Sequence, residues 1–159
     1  MIILGCGFVS ASSEFDFVFE DGNNLSSTIG DALMEMLTEN MKDLIINSGW
    51  EWNPVHERGQ SINSPSAHYV LIVEKNTENV VGMSLQVSKS YQNRGLGSVL
   101  LSAAEAIAKY CHLDACRLTV FKQNQRAYQL YLRHSYIKEF DPNEHPSCIL
   151  MSKYVKLVV

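Results

Sequence analysis

The sequence predicts one mixed domain, α+β or α/β in class, with a twisted and mostly antiparallel sheet flanked by helices. Three observations predict it. Leu85–Leu101 begins with strand-like alternation, passes through a polar turn holding Gly95 and Gly97, and continues in helical spacing to about Cys111. Arg117–Phe121 is a short β-branched and aromatic run that leads directly into helical spacing over Asn124–His134. Two pairs of strand-like runs are each joined by a turn-rich segment, the signature of antiparallel hairpins.

Taken in order, Met1–Val9 is apolar but far shorter than the roughly 20 residues that span a bilayer, and without a basic flank it does not read as a signal peptide. It reads as a strand or a frayed terminus, with residues 1–13 irregular. Glu14–Glu20 places Phe15, Phe17 and Phe19 at alternate positions, a half-buried strand, and Asp21–Asn24 is a turn. Over Asp31–Ser48 the apolar positions Leu33, Leu37, Met41, Leu44 and Ile45 follow the helical period. Gly49–Pro65 is polar, carries Trp50 and Trp52, and reads as a functional loop or lid. His68–Glu74 and Val80–Ser84 form the first hairpin about Lys75–Asn79, and Tyr136–Phe140 with Ser147–Tyr154 form a closing one. No repeats or linkers divide residues 1–159.

Length and composition suit a single domain with a substantial core: 159 residues, 46% hydrophobic and 19% charged, which excludes a disordered chain. The net charge of −4 argues against general nucleic-acid binding and suits a basic peptide partner. Cys6, Cys111, Cys116 and Cys148 have neither metal-ligand spacing nor the pattern of a small secreted framework, so no metal is expected and reduced, intracellular thiols are.

Chemistry concentrates in Gln92–Ser98. A strand, a tight loop and a helix start can aim several backbone N–H groups at one point, where the first helical turn has unpartnered donors and the macrodipole favours an anion. Gly95 is expected to let a phosphate approach without a Cβ in the way, and Gly97 to let the backbone turn into the helix. Arg94 adds positive charge. An ordinary strand-to-helix connection explains such a loop equally well when it is taken alone. Asn124, just before a helical run, reads as a cap that can also offer its amide to a ligand.

The two blocks together, Gln92-Asn-Arg-Gly-Leu-Gly97 and Asn124-Gln-Arg-Ala127 followed by Tyr131, resemble the GNAT acetyltransferase superfamily. Within it, Leu118–Gln129 together with Asn40–Leu44 and Gly49-Trp-Glu-Trp52 is similar to the NatD-type N-alpha-acetyltransferases, over about Met34–Lys153. The resemblance implies a GNAT-like fold and acetyl-CoA as co-substrate. It implies cofactor contacts from Leu85, Gln86, Val87, Gln92, Asn93, Arg94, Gly95, Leu96, Gly97, Ser98 and Asn124. Tyr131 would donate toward the leaving thiolate, and Trp50, Thr119 and Cys148 would face the peptide. The implied acceptor is a histone N-terminus beginning Ser-Gly-Arg-Gly, acetylated by a monomer in cytoplasm and nucleus, without membrane or direct nucleic-acid contact. The resemblance also implies a strand near Leu33–Leu37, with the helix starting only at Thr38.

The chain departs from that family at one place. Ser84 joins Leu85 directly, where the family has a further turn and strand ending in an acidic general base, and no carboxylate occurs from Gly82 to Gly97. The expectation is a sheet one strand short, a wetter groove, and Glu51 and Glu57 as the nearby acids. Ile45 and Cys148 stand where substrate-side tyrosines are expected, and Ser135 where a glycine is usual. Three readings follow: an N-alpha-acetyltransferase, a CoA-binding relative with impaired turnover, and an acetyltransferase of lysines or small amines.

Overall fold

The computed structural model describes residues 14–155 apart from positions 65, 66, 85 and 144. The expected strand at Met1–Val9 lies outside them, as does Leu85. β1 (Phe15–Asp21) runs antiparallel to β2 (His68–Glu74), from Phe15 opposite Glu74 to Asp21 opposite His68. Between them, Ser26 caps α1 (Ser27–Asn47) by accepting a hydrogen bond from the Ile29 N–H at 3.2 Å. α1 is one unbroken helix, so the strand that the family resemblance implied at Leu33–Leu37 is absent: Leu33, Met36 and Leu37 are buried on one helical face.

The segment after α1 is more ordered than a lid. Asn53 caps a short helix, α2 (Pro54–Glu57), with its side chain accepting from Val55 N and His56 N, each at 3.1 Å. A π-helical turn, Arg58–Ile62, follows, and Ile62 is fully buried beside Leu33 and Leu71. The Tyr69 hydroxyl donates to the carbonyls of Ser61 and Ile62, anchoring that turn to β2.

β3 (Val80–Met83) returns along β2 with a bulge between Ile72 and Val73. The sheet is not one strand short. The chain reverses at Ser84, which adopts φ +43, and β4 (Gln86–Val87) pairs back on β3 with Met83 opposite Gln86 and Gly82 opposite Val87. The fourth strand is present but has only two residues. The first sheet therefore has the order β1-β2-β3-β4.

After β4 come α3 (Leu96–Tyr110), β5 (Ala115–Phe121), α4 (Gln125–Arg133), β6 (Ile137–Lys138) and β7 (Cys148–Tyr154). They complete a second antiparallel sheet, β5-β7-β6, with no strand pairing to the first among the described residues. Two helices hold the parted sheets together from opposite faces. Adjacent residues of β2 point to opposite sides, and they sort accordingly: Leu71 packs with Met36 and Leu37 of α1, while Ile72 packs with Leu100 of α3. On α3, Leu100 meets the first sheet and its neighbour Leu101 meets Val120 and Met151 of the second. On α1, Ile45 reaches Phe121 and Cys148 of the second sheet. Each such fully buried side chain contributes about 1.5–3 kcal/mol of apolar burial, so the gap between β4 and β5 is held open by helices packed across it.

Candidate active site

A cleft of about 590 Å³ occupies that gap, and its walls come from α1, β4, the Lys89–Gly95 loop, the start of α3 and one side of α4. Asn40 and Gln92 fix the short strand to its surroundings. Asn40 Nδ2 donates to Gln86 Oε1 at 3.1 Å and to the Val87 carbonyl at 3.0 Å. Gln92 Nε2 donates to the same Val87 carbonyl at 3.0 Å and to Asn40 Oδ1 at 3.3 Å. Side chains thus supply hydrogen bonds that a longer β4 would draw from a neighbouring strand.

Gly95 takes both roles expected of the two loop glycines, and Gly97 takes a different one. Gly95 caps α3 at φ +81, and a Cβ there would meet nothing within 4 Å, so the left-handed turn and the open approach coincide at this one residue. A Cβ on Gly97 would lie 3.3 Å from Leu130 Cδ2, so Gly97 lets α4 pack close to the helix start. Asn93 is also left-handed, at φ +66. Ser98 N and Val99 N bond to the Gly95 carbonyl, at 3.0 and 3.2 Å, and the N–H groups of Leu96 and Gly97 are left without an acceptor inside the helix.

Of the residues expected at the cofactor, Gln86, Val87, Gln92, Asn93, Gly95, Leu96, Gly97, Ser98 and Asn124 all line the cleft. Arg94 does not; its guanidinium lies over the Tyr91 ring, 4.9 Å from the centroid. The positive charge comes instead from Lys89, Arg126 and Arg133, and no acidic side chain joins them among the described lining residues. In a chain of net charge −4, that cleft is a local cationic site. Arg126 crosses it: Nη1 donates to Gln92 Oε1 at 3.1 Å and Nη2 to Asn93 Oδ1. Arg126 and Arg133 escaped sequence reasoning, although their spacing of seven puts both on one helical face. Ser98 Oγ is paired with His134 Nε2 at 2.9 Å.

Asn124 caps α4, its Oδ1 accepting from Ala127 N at 3.1 Å, while it also lines the cleft. Tyr131 packs one layer deeper, 7% exposed among Leu101, Val120, Tyr136 and Met151, and burial pushes its phenol pKa up. It is not part of the cleft wall. On the far side, Trp50 stacks edge-on against Phe121 and His145, with centroids at 5.6 and 4.7 Å, and its indole N–H donates to His145 Nε2 at 2.8 Å. Cys148 is buried with Ile45 against the same Phe121. Thr119 is exposed two residues earlier on that face of β5. Trp50, Thr119 and Cys148 therefore flank the end of β5 outside the cleft lining. Glu51 and Glu57 do not line it either; the carboxylate beside the cofactor loop is Glu39, accepting from Lys89 N at 3.3 Å. Among the described residues no cluster could hold a metal ion, and no helix is long and apolar enough to cross a membrane.

Parted sheets bridged by helices, with a cationic cleft closing on a glycine-capped helix start, define a protein built to hold a phosphate-bearing ligand along the edge of a strand. The family profile "Acetyltransferase (GNAT) family" matches residues 31–136, two thirds of the sequence, and the chain belongs to that family. By family and fold it is an acyltransferase. Solved structures share the architecture. An acetyltransferase of the GNAT family from Staphylococcus aureus superposes with a TM-score of 0.66 at 13% identity, over 89% of this chain and 100% of that one. PaiA N-acetyltransferase from Thermoplasma acidophilum, in complex with coenzyme A, gives 0.62 at 18% identity over 87% and 99%. Ard1 from Thermoplasma volcanium gives 0.61 at 12% identity over 88% and 98%.

Proposed function

We propose that this chain moves the acetyl group of acetyl-CoA to the N-terminal amine of Ser-Gly-Arg-Gly proteins, core histones two-A and four, acting as a monomer in cytoplasm and nucleus. The observation that carries the cofactor half is the cleft lined by three cations and no described acid, closing on open space at Gly95. These groups fit a pyrophosphate. When bound, acetyl-CoA supplies the activated thioester. Leu96 and Gly97 N–H groups would hold its phosphates, the amide of Asn124 its pantetheine arm, and Gln86 and Val87 the stretch beside the acetyl group. Tyr131 lies a layer below the cleft wall, so its part as donor to the leaving thiolate rests on the resemblance alone. The acceptor half rests on the resemblance of the Trp50 and Leu118–Asn124 blocks, and on Trp50 being 42% exposed beside Phe121 and His145.

One observation favours the second reading, a CoA-binding relative with slight turnover. β4 has two residues and the described cleft lining supplies no carboxylate base; losing a positioned base costs roughly 10² to 10⁴ in rate. Labelled acetyl-CoA offered with a panel of peptides, beside a CoA titration, separates the readings. Transfer to Ser-Gly-Arg-Gly exceeding transfer to Met-first peptides supports the first. CoA binding without transfer supports the second. Equal labelling of N-terminally blocked peptides that carry only lysine amines overturns N-terminal specificity.

A further inference from the structure

The loop between β6 and β7 sets His145 against Trp50, and neither residue lines the cofactor cleft. The loop is fastened on two sides. On one, the Lys122 N–H donates to the Ser147 carbonyl at 2.8 Å and Lys122 Nζ to the Pro146 carbonyl at 2.7 Å. On the other, Ser147 Oγ donates to the Ser48 carbonyl at 3.3 Å, just past the end of α1. The Cys148 N–H closes a turn on the His145 carbonyl at 2.9 Å.

Both described hydrogen bonds of the His145 ring are accepted. Trp50 Nε1 donates to Nε2 at 2.8 Å, and Ser147 N donates to Nδ1 at 3.2 Å. A neutral imidazole accepts at one nitrogen and an imidazolium at none. The shorter bond takes the lone pair, so protonation of His145 and the bond from Trp50 exclude each other. Phe121, the other ring against the indole, offers its N–H no acceptor. The direction of that N–H, and with it the face the indole turns outward, is therefore set by His145. The charged and titratable groups on the surrounding elements are Lys122 beyond β5, Glu51 next to Trp50, Asp141 in the same loop and the buried Cys148 of β7. α1 ends there in the uncharged Asn47 and Ser48. Lys122 holds Pro146 and Asp141 accepts from the Asn143 N–H, and among the described residues no carboxylate pairs with the imidazole.

We propose that His145, as the neutral imidazole, is the positioning residue that holds Trp50 across the acceptor mouth, so that acidification weakens peptide recognition and leaves the cofactor site untouched. This rests on the acceptor reading of Trp50. Two readouts on the whole chain test it. Trp50 and Trp52 are the two tryptophans, so Trp52→Phe leaves Trp50 as the one indole emitter. Its emission should change in a single step on acidification, and adding His145→Gln, whose amide oxygen accepts without titrating, should abolish the step. Steady-state transfer to a Ser-Gly-Arg-Gly peptide then separates KM from kcat over the same pH range, in the parent background. Relative to His145→Gln, the parent's peptide KM should rise roughly twofold to tenfold on the acid side of the step, the net worth of one hydrogen bond. The kcat and the acetyl-CoA KM should follow the same course in both proteins, and His145→Phe should show the higher peptide KM at every pH. An emission without the step, or a step that survives His145→Gln, overturns the coupling. A peptide KM that runs parallel in the parent, His145→Gln and His145→Phe overturns the positioning role. Either result leaves acetyl transfer standing, whereas no transfer by the parent to any N-terminal amine overturns the acceptor reading and this role with it.

Discussion

Gly95 and Gly49 allow the cofactor cradle to be tested with backbone strain held constant. They sit at φ +81 and +82, and an added Cβ meets nothing within 4 Å at either. Gly95 alone lines the cleft. Placing an L side chain in the left-handed region costs about 1–2 kcal/mol, which for a chain of this size corresponds to a fall of about 2–8 °C in Tm. Gly49→Ala and Gly95→Ala should therefore lose similar stability. Their effects on CoA should differ. At Gly95 the methyl group stands where phosphate meets the Leu96 and Gly97 N–H groups, and each charge-assisted hydrogen bond contributes about 1.5–3 kcal/mol. Loss of two such bonds weakens binding more than about 100-fold, and Gly95→Val should do so more completely than Gly95→Ala. Differential scanning fluorimetry read beside isothermal titration with CoA gives both quantities on the same samples. Equal CoA affinity in Gly95→Val and the parent, or equal loss in both alanine variants, would refute the assignment of the cradle.

Asn124→Ala removes the cap on α4 and should cost about 0.5–2 kcal/mol in urea denaturation, with CoA affinity falling as well; full stability with weaker binding would mean that Asn124 acts only on the ligand. Burial raises the Tyr131 and Tyr136 pKa values above the ordinary 10.0, so their contribution to stability is fully present below pH 10 and is lost as pH rises through the folded values. Denaturation midpoints across pH 8 to 12 should show a decline confined to the alkaline end, less steep in Tyr136→Phe; an unchanged slope in that variant contradicts the attribution. Trp50→Ala should raise the peptide KM and leave CoA binding unchanged, and a parallel loss of CoA affinity would place Trp50 in the cofactor site instead.

Both bridging helices are legible because their signals are periodic: Leu33, Leu37 and Ile45 on α1 and Leu96, Leu100 and Leu101 on α3 repeat where a helix must bury them, whereas the parting of the expected single sheet into two is set by tertiary packing. The start of α1 was set a turn too late because Ser26 and Ser27 precede the periodic run and only the side-chain bond to Ile29 identifies the cap. The β3–β4 reversal was read as a lost strand. It turns through Ser84 at φ +43, a non-glycine residue that gives no turn signal of the Asn-Gly kind. Within the site, Gln92, Asn93, Gly95–Ser98 and Asn124 carry a motif and line the cleft, while Arg94 of the same motif lies over Tyr91 instead. Arg126 was not legible, because its partners Gln92 and Asn93 lie on another element more than 30 residues earlier and only the fold brings them together. The packing role of Gly97 is likewise set by tertiary contact, since Leu130 decides which glycine must lack a Cβ for packing.

The central claim is acetyl transfer to an N-terminal amine by a site that holds the cofactor without supplying a base. The pH dependence of labelled acetyl transfer to a Ser-Gly-Arg-Gly peptide, under saturating acetyl-CoA from pH 6 to 10, tests it most directly. The rate should be well below the ordinary enzymatic range of about 1 to 10³ per second, climbing about tenfold per pH unit until the amine loses its proton near pH 8. A rate within that range, level across neutrality, would contradict it and would require a base outside the cleft lining described above.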